Sequence, residues 1–159
     1  EEVIAAGELP EPDEEEFGRV VYVDLLTRLA PELGRIVELA VDAPQRPLLF
    51  HCFAGKDRTG ITAAVLLGLL GVPDETIVDD YELTTQYYTD ARLASVADLL
   101  DEHGIEHARV RPFFEARGRV LEIAIEHLRA TWGDFDGYAV DQLGLAPDTP
   151  ELLRESLLI

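Results

Sequence analysis

One cysteine and one lysine occur in the 159 residues of this chain. A single thiol excludes an intramolecular disulfide, so packing alone must hold the fold. That suits a reducing compartment, and a cytoplasmic protein is expected; secretion stays open because residue 1 is Glu. Positive charge is equally scarce: 13 Lys plus Arg stand against 32 Asp plus Glu, for a formal net charge of -19. Nucleic acid and anionic membranes both call for a basic face, so neither is an expected partner. No apolar run reaches the ~18 residues of a membrane span. The opening EEVIAAGELPEPDEEE also lacks the basic-then-apolar order of a signal peptide. No stable membrane insertion is expected.

Apolar residues make up 47% of the chain, enough for one packed domain. Residues 1–16, with two prolines and a run of acids, read as an acidic tail or linker. Residues 17–159 read as the domain. Leu25, Leu26, Leu29, Leu33, Ile36, Val37 and Leu39 recur at helical spacing, Pro31 fits a first turn, and Asp42 to Gln45 ends the helix. The run 47–50, PLLF, is short, apolar and bounded by a turn, which predicts a buried strand, with Val20 to Val23 as a second. Helices are predicted over 58–70, 74–89, 90–103, 112–131, 134–143 and 148–157. Gly71, Gly104 and Gly133 serve as stops, and Asp148 or Thr149 caps the last. One confident parallel strand cannot stand alone. The expectation is therefore an α/β domain whose N-terminal strands lie in sequence preceding this chain.

The stretch HCFAGKDRTG, residues 51–60, contains both rare residues. It joins the predicted strand to the predicted helix. That geometry turns successive backbone N–H groups into one hollow at a helix N-terminus, where a tetrahedral oxyanion binds. Phe53, Ala54, Gly55, Lys56, Asp57 and Arg58 would surround the anion. Arg58 offers a planar fork of donors to two phosphate oxygens. Cys52 lies at the floor, where helix N-termini and cations lower a thiol's pKa to roughly 3.5–7.5. A thiolate there can attack phosphorus and split hydrolysis into two steps. Thr59 is placed to donate a hydrogen bond to the sulfur, His51 and Gly60 to order the loop, and Lys56 to add positive charge at the rim.

His-Cys-x5-Arg-Thr is the signature of cysteine-dependent protein tyrosine and dual-specificity phosphatases, and this chain resembles them. The fuller HCFAGKDRTG resembles the bacterial subgroup that includes the secreted mycobacterial tyrosine phosphatase B. IVDDYELT, residues 77–84, and WGDFDGYAVDQLGL, residues 132–145, are similar to further segments of that subgroup. The resemblance runs from about Asp24 to Ile159. It implies a parallel sheet flanked by helices with a helix-rich C-terminal half. It also implies phosphomonoester hydrolysis without metal or other cofactor. The substrates implied are phosphorylated proteins, phosphotyrosine above all, or phosphoinositides. The subgroup's N-terminal F-R-D-L-G-G segment is not found here. The resemblance also implies a helical cover over the pocket, formed by residues 90–131.

A general acid is required, and Asp57 is the favoured one, with Asp24 as the alternative. Tyr81 is expected to pack beneath the loop, and Tyr87 and Tyr88 are candidates for its mouth. His103, His107 and His127 lack metal-ligand spacing and read as surface or helix-end residues. Gly55-Lys56 does not belong to a nucleotide-binding G-x-x-x-x-G-K-[ST] loop, because Phe50 and Asp57 stand at required positions. The alternative to catalysis is a module that binds phosphorylated ligands without turnover. Sulfur transfer or arsenate reduction at Cys52 is a more distant one.

Overall fold

The computed structural model describes residues 13–42 and 47–158. Among these residues the fold is helical throughout. Helix α1 (Glu14–Phe17) runs through a π-helical turn (Gly18–Tyr22) into α2 (Val23–Arg28), followed by α3 (Ala30–Val41). After the irregular segment 47–56 come α4 (Asp57–Leu69), the long α5 (Asp74–Glu102), α6 (His107–Phe114), α7 (Gly118–Trp132), α8 (Phe135–Asp141) and α9 (Thr149–Leu157).

The expected parallel sheet is absent among the described residues, and the α/β reading is corrected to an all-helical one. Two sequence signals misled. Val20 to Val23 is rich in β-branched residues, yet it lies in the π turn and the start of α2. There the longer pattern wins. Tyr22, Leu26, Ala30, Leu33, Val37 and Ala40 are all buried at three- and four-residue spacing, which lines one face of a helix and not of a strand. The run 47–50 forms no ladder. It is not buried either, since Leu49 is 86% exposed. An extended segment becomes a strand only by pairing, and the described residues offer it no partner.

Residues 74–89 and 90–103, expected as two helices, form the single helix α5. Residues 112–131, expected as one helix, are broken between α6 and α7. The break is held by side chains of α5 that replace backbone partners. Thr85 Oγ1 accepts from Ala116 N–H at 2.7 Å and donates to Ala116 O at 3.0 Å. Glu82 accepts from Gly118 N–H at 2.9 Å. Residues 1–12 of the acidic segment lie outside the described residues. Within it, Asp13 caps α1, and Glu14 and Glu15 pair with Arg117 and Arg119 of α7 at 2.9 and 2.6 Å. Exposed pairs of this kind each contribute roughly 0–1 kcal/mol.

Helix α4 is the centre of the core. Its Ile61, Ala64, Val65 and Leu69 pack in one cluster with Leu26, Leu33, Val37, Leu121, Ala124, Leu128 and Phe135. No helix among the described residues is long and apolar enough to cross a membrane.

Tyr138 of α8 is fully buried, and its hydroxyl donates to Leu26 O at 2.6 Å, near the C-terminal end of α2. That end has carbonyls without helical partners. Tyr138→Phe keeps the ring and strands the carbonyl, so unfolding in urea should show a loss of about 1–3 kcal/mol. An unchanged midpoint would show that this bond does not tie α8 to α2.

Candidate active site

Segment 51–56 wraps the N-terminus of α4. Gly55 has φ of +69°, a left-handed conformation that glycine adopts without steric cost. The turn aims Gly55 N–H at Cys52 Sγ, 3.2 Å away. Cys52 N–H donates to Thr59 Oγ1 at 3.0 Å, which leaves the Thr59 hydroxyl proton for the sulfur. His51 Nδ1 lies 3.0 Å from Cys52 O, so its N–H tautomer ties the ring to the loop backbone. Burial alone would raise the Cys52 pKa. The Thr59 hydroxyl and the backbone amides of Thr59, Gly55 and Lys56 outweigh it and draw the thiol down to about 7. About half of the sulfur is then ionised at neutral pH, against a few per cent for an ordinary cysteine.

Arg58 stands exposed beside it and makes no ion pair among the described residues. This matters in a chain whose other arginines are largely taken: Arg19, Arg28, Arg35, Arg111, Arg117, Arg119, Arg129 and Arg154 all contact carboxylates. Arg58, His51, Cys52 and Thr59 line a groove of about 340 Å³ with Leu29, Leu33 and Ile36, and the carboxylate of Glu32 also faces it. An ionisable sulfur and a guanidinium thus share one groove, the pairing expected of a candidate site for a tetrahedral anion.

Lys56 is not at the rim. The residue is only 8% exposed. Its ammonium donates to Phe113 O at 2.9 Å and Glu115 O at 3.3 Å, and lies 3.4 Å from Asp57 Oδ1. All three of its protons have acceptors, so Lys56 fastens the loop to the α6–α7 junction. Asp57 opens α4, and its Oδ1 accepts from Tyr22 Oη at 2.6 Å. Asp24, the alternative acid, pairs with Arg28 on α2 at 3.2 Å. Gly60 permits Tyr81 to lie against α4: a Cβ there would stand 2.7 Å from two ring carbons. Tyr81 thus packs beneath the loop as expected.

Phe53 is 86% exposed beside the sulfur-bearing residue. The Arg92 guanidinium of α5 sits 5.9 Å from its ring centroid and 5.8 Å from that of Phe114. Ala54 completes the turn, half-buried, and Tyr87 is exposed farther along α5. Sequence reasoning missed Arg92 and Tyr22. Both are brought in from distant segments, and only the burial periodicity through Tyr22 and Leu26 hinted at either.

Residues 1–159 match the family model described as the tyrosine phosphatase family. The chain belongs to that family. It is 41% identical over 142 residues to a tyrosine-protein phosphatase of Nostoc commune, covering 86% of this chain and 47% of the relative. It is 35% identical over 137 residues to the triple specificity protein phosphatase PtpB of Mycobacterium tuberculosis, covering 79% of this chain and 48% of that protein. The chain therefore spans about half the length of these family members. The family resemblance read from the 51–60 loop is upheld, and the loop in this family member has the geometry just described.

The thiol's displacement sets the sign of a pH dependence. Because its pKa is lowered, the nucleophilic form accumulates as pH rises through about 7. Alkylation of Cys52 by iodoacetamide should have its midpoint there, and Thr59→Ala should move the midpoint upward by about one unit toward the free-thiol value near 8.5. A native midpoint already at the free-thiol value would rule out an activated sulfur.

Proposed function

We propose that this chain carries the catalytic centre of a phosphomonoester hydrolase that acts on phosphotyrosine in proteins through a phosphocysteine intermediate. The convergence of Gly55 N–H and the Thr59 hydroxyl on Cys52, whose pKa falls to about 7, beside an Arg58 with no ion pair among the described residues, carries this reading. Family membership supports the reaction class. The name of the M. tuberculosis relative, triple specificity, supports a wider range of substrates. Phosphoserine, phosphothreonine and phosphoinositides are the further substrates proposed.

The chemistry follows from the residues. A phosphoryl group seats its oxygens on the loop amides 53–58 and the Arg58 fork. The Cys52 thiolate attacks phosphorus, the P–O bond to the leaving group breaks, and Asp57 gives its proton to the leaving oxygen. Such protonation is worth about 10²–10⁴ in rate. Water then attacks the phosphocysteine, Asp57 takes up its proton, and the P–S bond breaks to return thiolate and inorganic phosphate. The Thr59 hydroxyl stabilises the departing sulfur. His51 and Gly60 hold the loop, and Lys56 anchors it from beneath. No step draws on a metal or other cofactor.

Purified chain should release phosphate from p-nitrophenyl phosphate and from phosphotyrosine peptides in the presence of a chelator. Cys52→Ser should abolish turnover while leaving the fold intact. Arg58→Lys should lower kcat/KM by about 10²–10³-fold, the usual cost of a lost oxyanion donor. Turnover persisting in Cys52→Ser would overturn the mechanism. Tight binding of phosphotyrosine peptide with no phosphate release would make the chain a binding module instead.

A further inference from the structure

Tyr22 is 35 residues distant in sequence from Asp57 and belongs to no segment that marks the site. It is nevertheless completely buried. Its hydroxyl donates to Asp57 Oδ1 at 2.6 Å and lies 2.5 Å from the Tyr81 hydroxyl. A phenol has one proton. With that proton on Asp57, the second contact must be Tyr81 donating to Tyr22. The result is an ordered chain from Tyr81 through Tyr22 to Asp57. Each anchor has its own reason to stay put. Tyr22 lies in the π turn, an irregularity common at functional sites. Tyr81 is wedged against Gly60.

We infer that Tyr22, backed by Tyr81, is a positioning residue for the Asp57 carboxyl, fixing its rotamer for proton transfer to the leaving oxygen. The inference rests on the proposed role of Asp57 as general acid. Both the Tyr22 hydroxyl and the Lys56 ammonium fall on Oδ1, which leaves Oδ2 to carry the transferable proton. The groups facing Asp57 are Tyr22 from the π turn, Tyr81 from α5 and Lys56 from the loop. Glu14, Glu115 and Arg117 line the small cavity beyond them, and Glu82 faces Tyr81. The two phenols do not titrate in the working range, since burial first, and the neighbouring Asp57 charge with it, push both above their ordinary values. They act as fixed donors.

The test is kcat/KM against pH for the full chain with phenyl phosphate, a poor leaving group, and p-nitrophenyl phosphate, a better one. Asp57→Asn should slow phenyl phosphate about 10²-fold more than p-nitrophenyl phosphate and remove the basic limb. Tyr22→Phe keeps the ring and should slow phenyl phosphate about tenfold more than p-nitrophenyl phosphate, as loss of one charge-assisted hydrogen bond implies. In an Asp57→Asn background Tyr22→Phe should have no further selective effect. Tyr81→Phe, which spares the Asp57 contact, should give a smaller selective slowing and serves if Tyr22→Phe unfolds. If Asp57→Asn slows both substrates equally, the acid assignment fails and takes this inference with it. If Asp57→Asn behaves as expected but neither phenylalanine variant slows phenyl phosphate selectively, or the Tyr22→Phe effect persists without Asp57, the inference alone is overturned.

Discussion

The proposed chemistry needs a negative sulfur in a protein whose net charge is already -19. The global field opposes a thiolate and opposes any phosphate approaching it. Only local, oriented donors can reverse that sign, and they act over a few ångströms: the amides at the start of α4, the Thr59 hydroxyl, and the Arg58 guanidinium, which has no carboxylate partner among the described residues. The arrangement around α4 keeps those donors in place. The helix is buried from Ile61 to Leu69 on its core-facing side, which fixes the direction of its N-terminus. The loop that wraps it is pinned from beneath by Lys56 and from one side by Asp57.

The distribution of arginine fits the same constraint. Most guanidiniums are occupied by carboxylates along the helix surfaces, where they stabilise little individually. Their collective effect is to remove competing cationic sites from the surface. The proposed anion site then depends on a guanidinium that no carboxylate takes up among the described residues, not on an abundance of positive charge.

How much of this was legible in the sequence differed by range. The loop was readable because its chemistry is local: Cys52, Gly55, Arg58, Thr59 and Gly60 fall within nine residues, and spacing fixes their meeting. The ends of α7 and α9 were readable for the same reason, through Gly133 and Asp148. The direction of Lys56 was not, because its acceptors are the carbonyls of Phe113 and Glu115, 57 and 59 residues on. Nor was the union of 74–103 into one helix, since nothing in DARLASV separates a helix start from a helix interior. PLLF misled because an apolar run between turns describes an extended loop as well as a strand. Pairing decides between them, and pairing is non-local. Tyr22 was hidden by its neighbours, three valines that suggested a strand where burial at four-residue intervals made a helix.

Lys56 has one more consequence. It holds the chain's only ε-amine, and that amine is sealed beneath two carbonyls and a carboxylate. Reagents or enzymes that acylate lysine meet no open target on the described surface. Such a mark could enter only if the loop came away from α6 and α7, so acylation at that nitrogen would report a dismantled site rather than tune an assembled one.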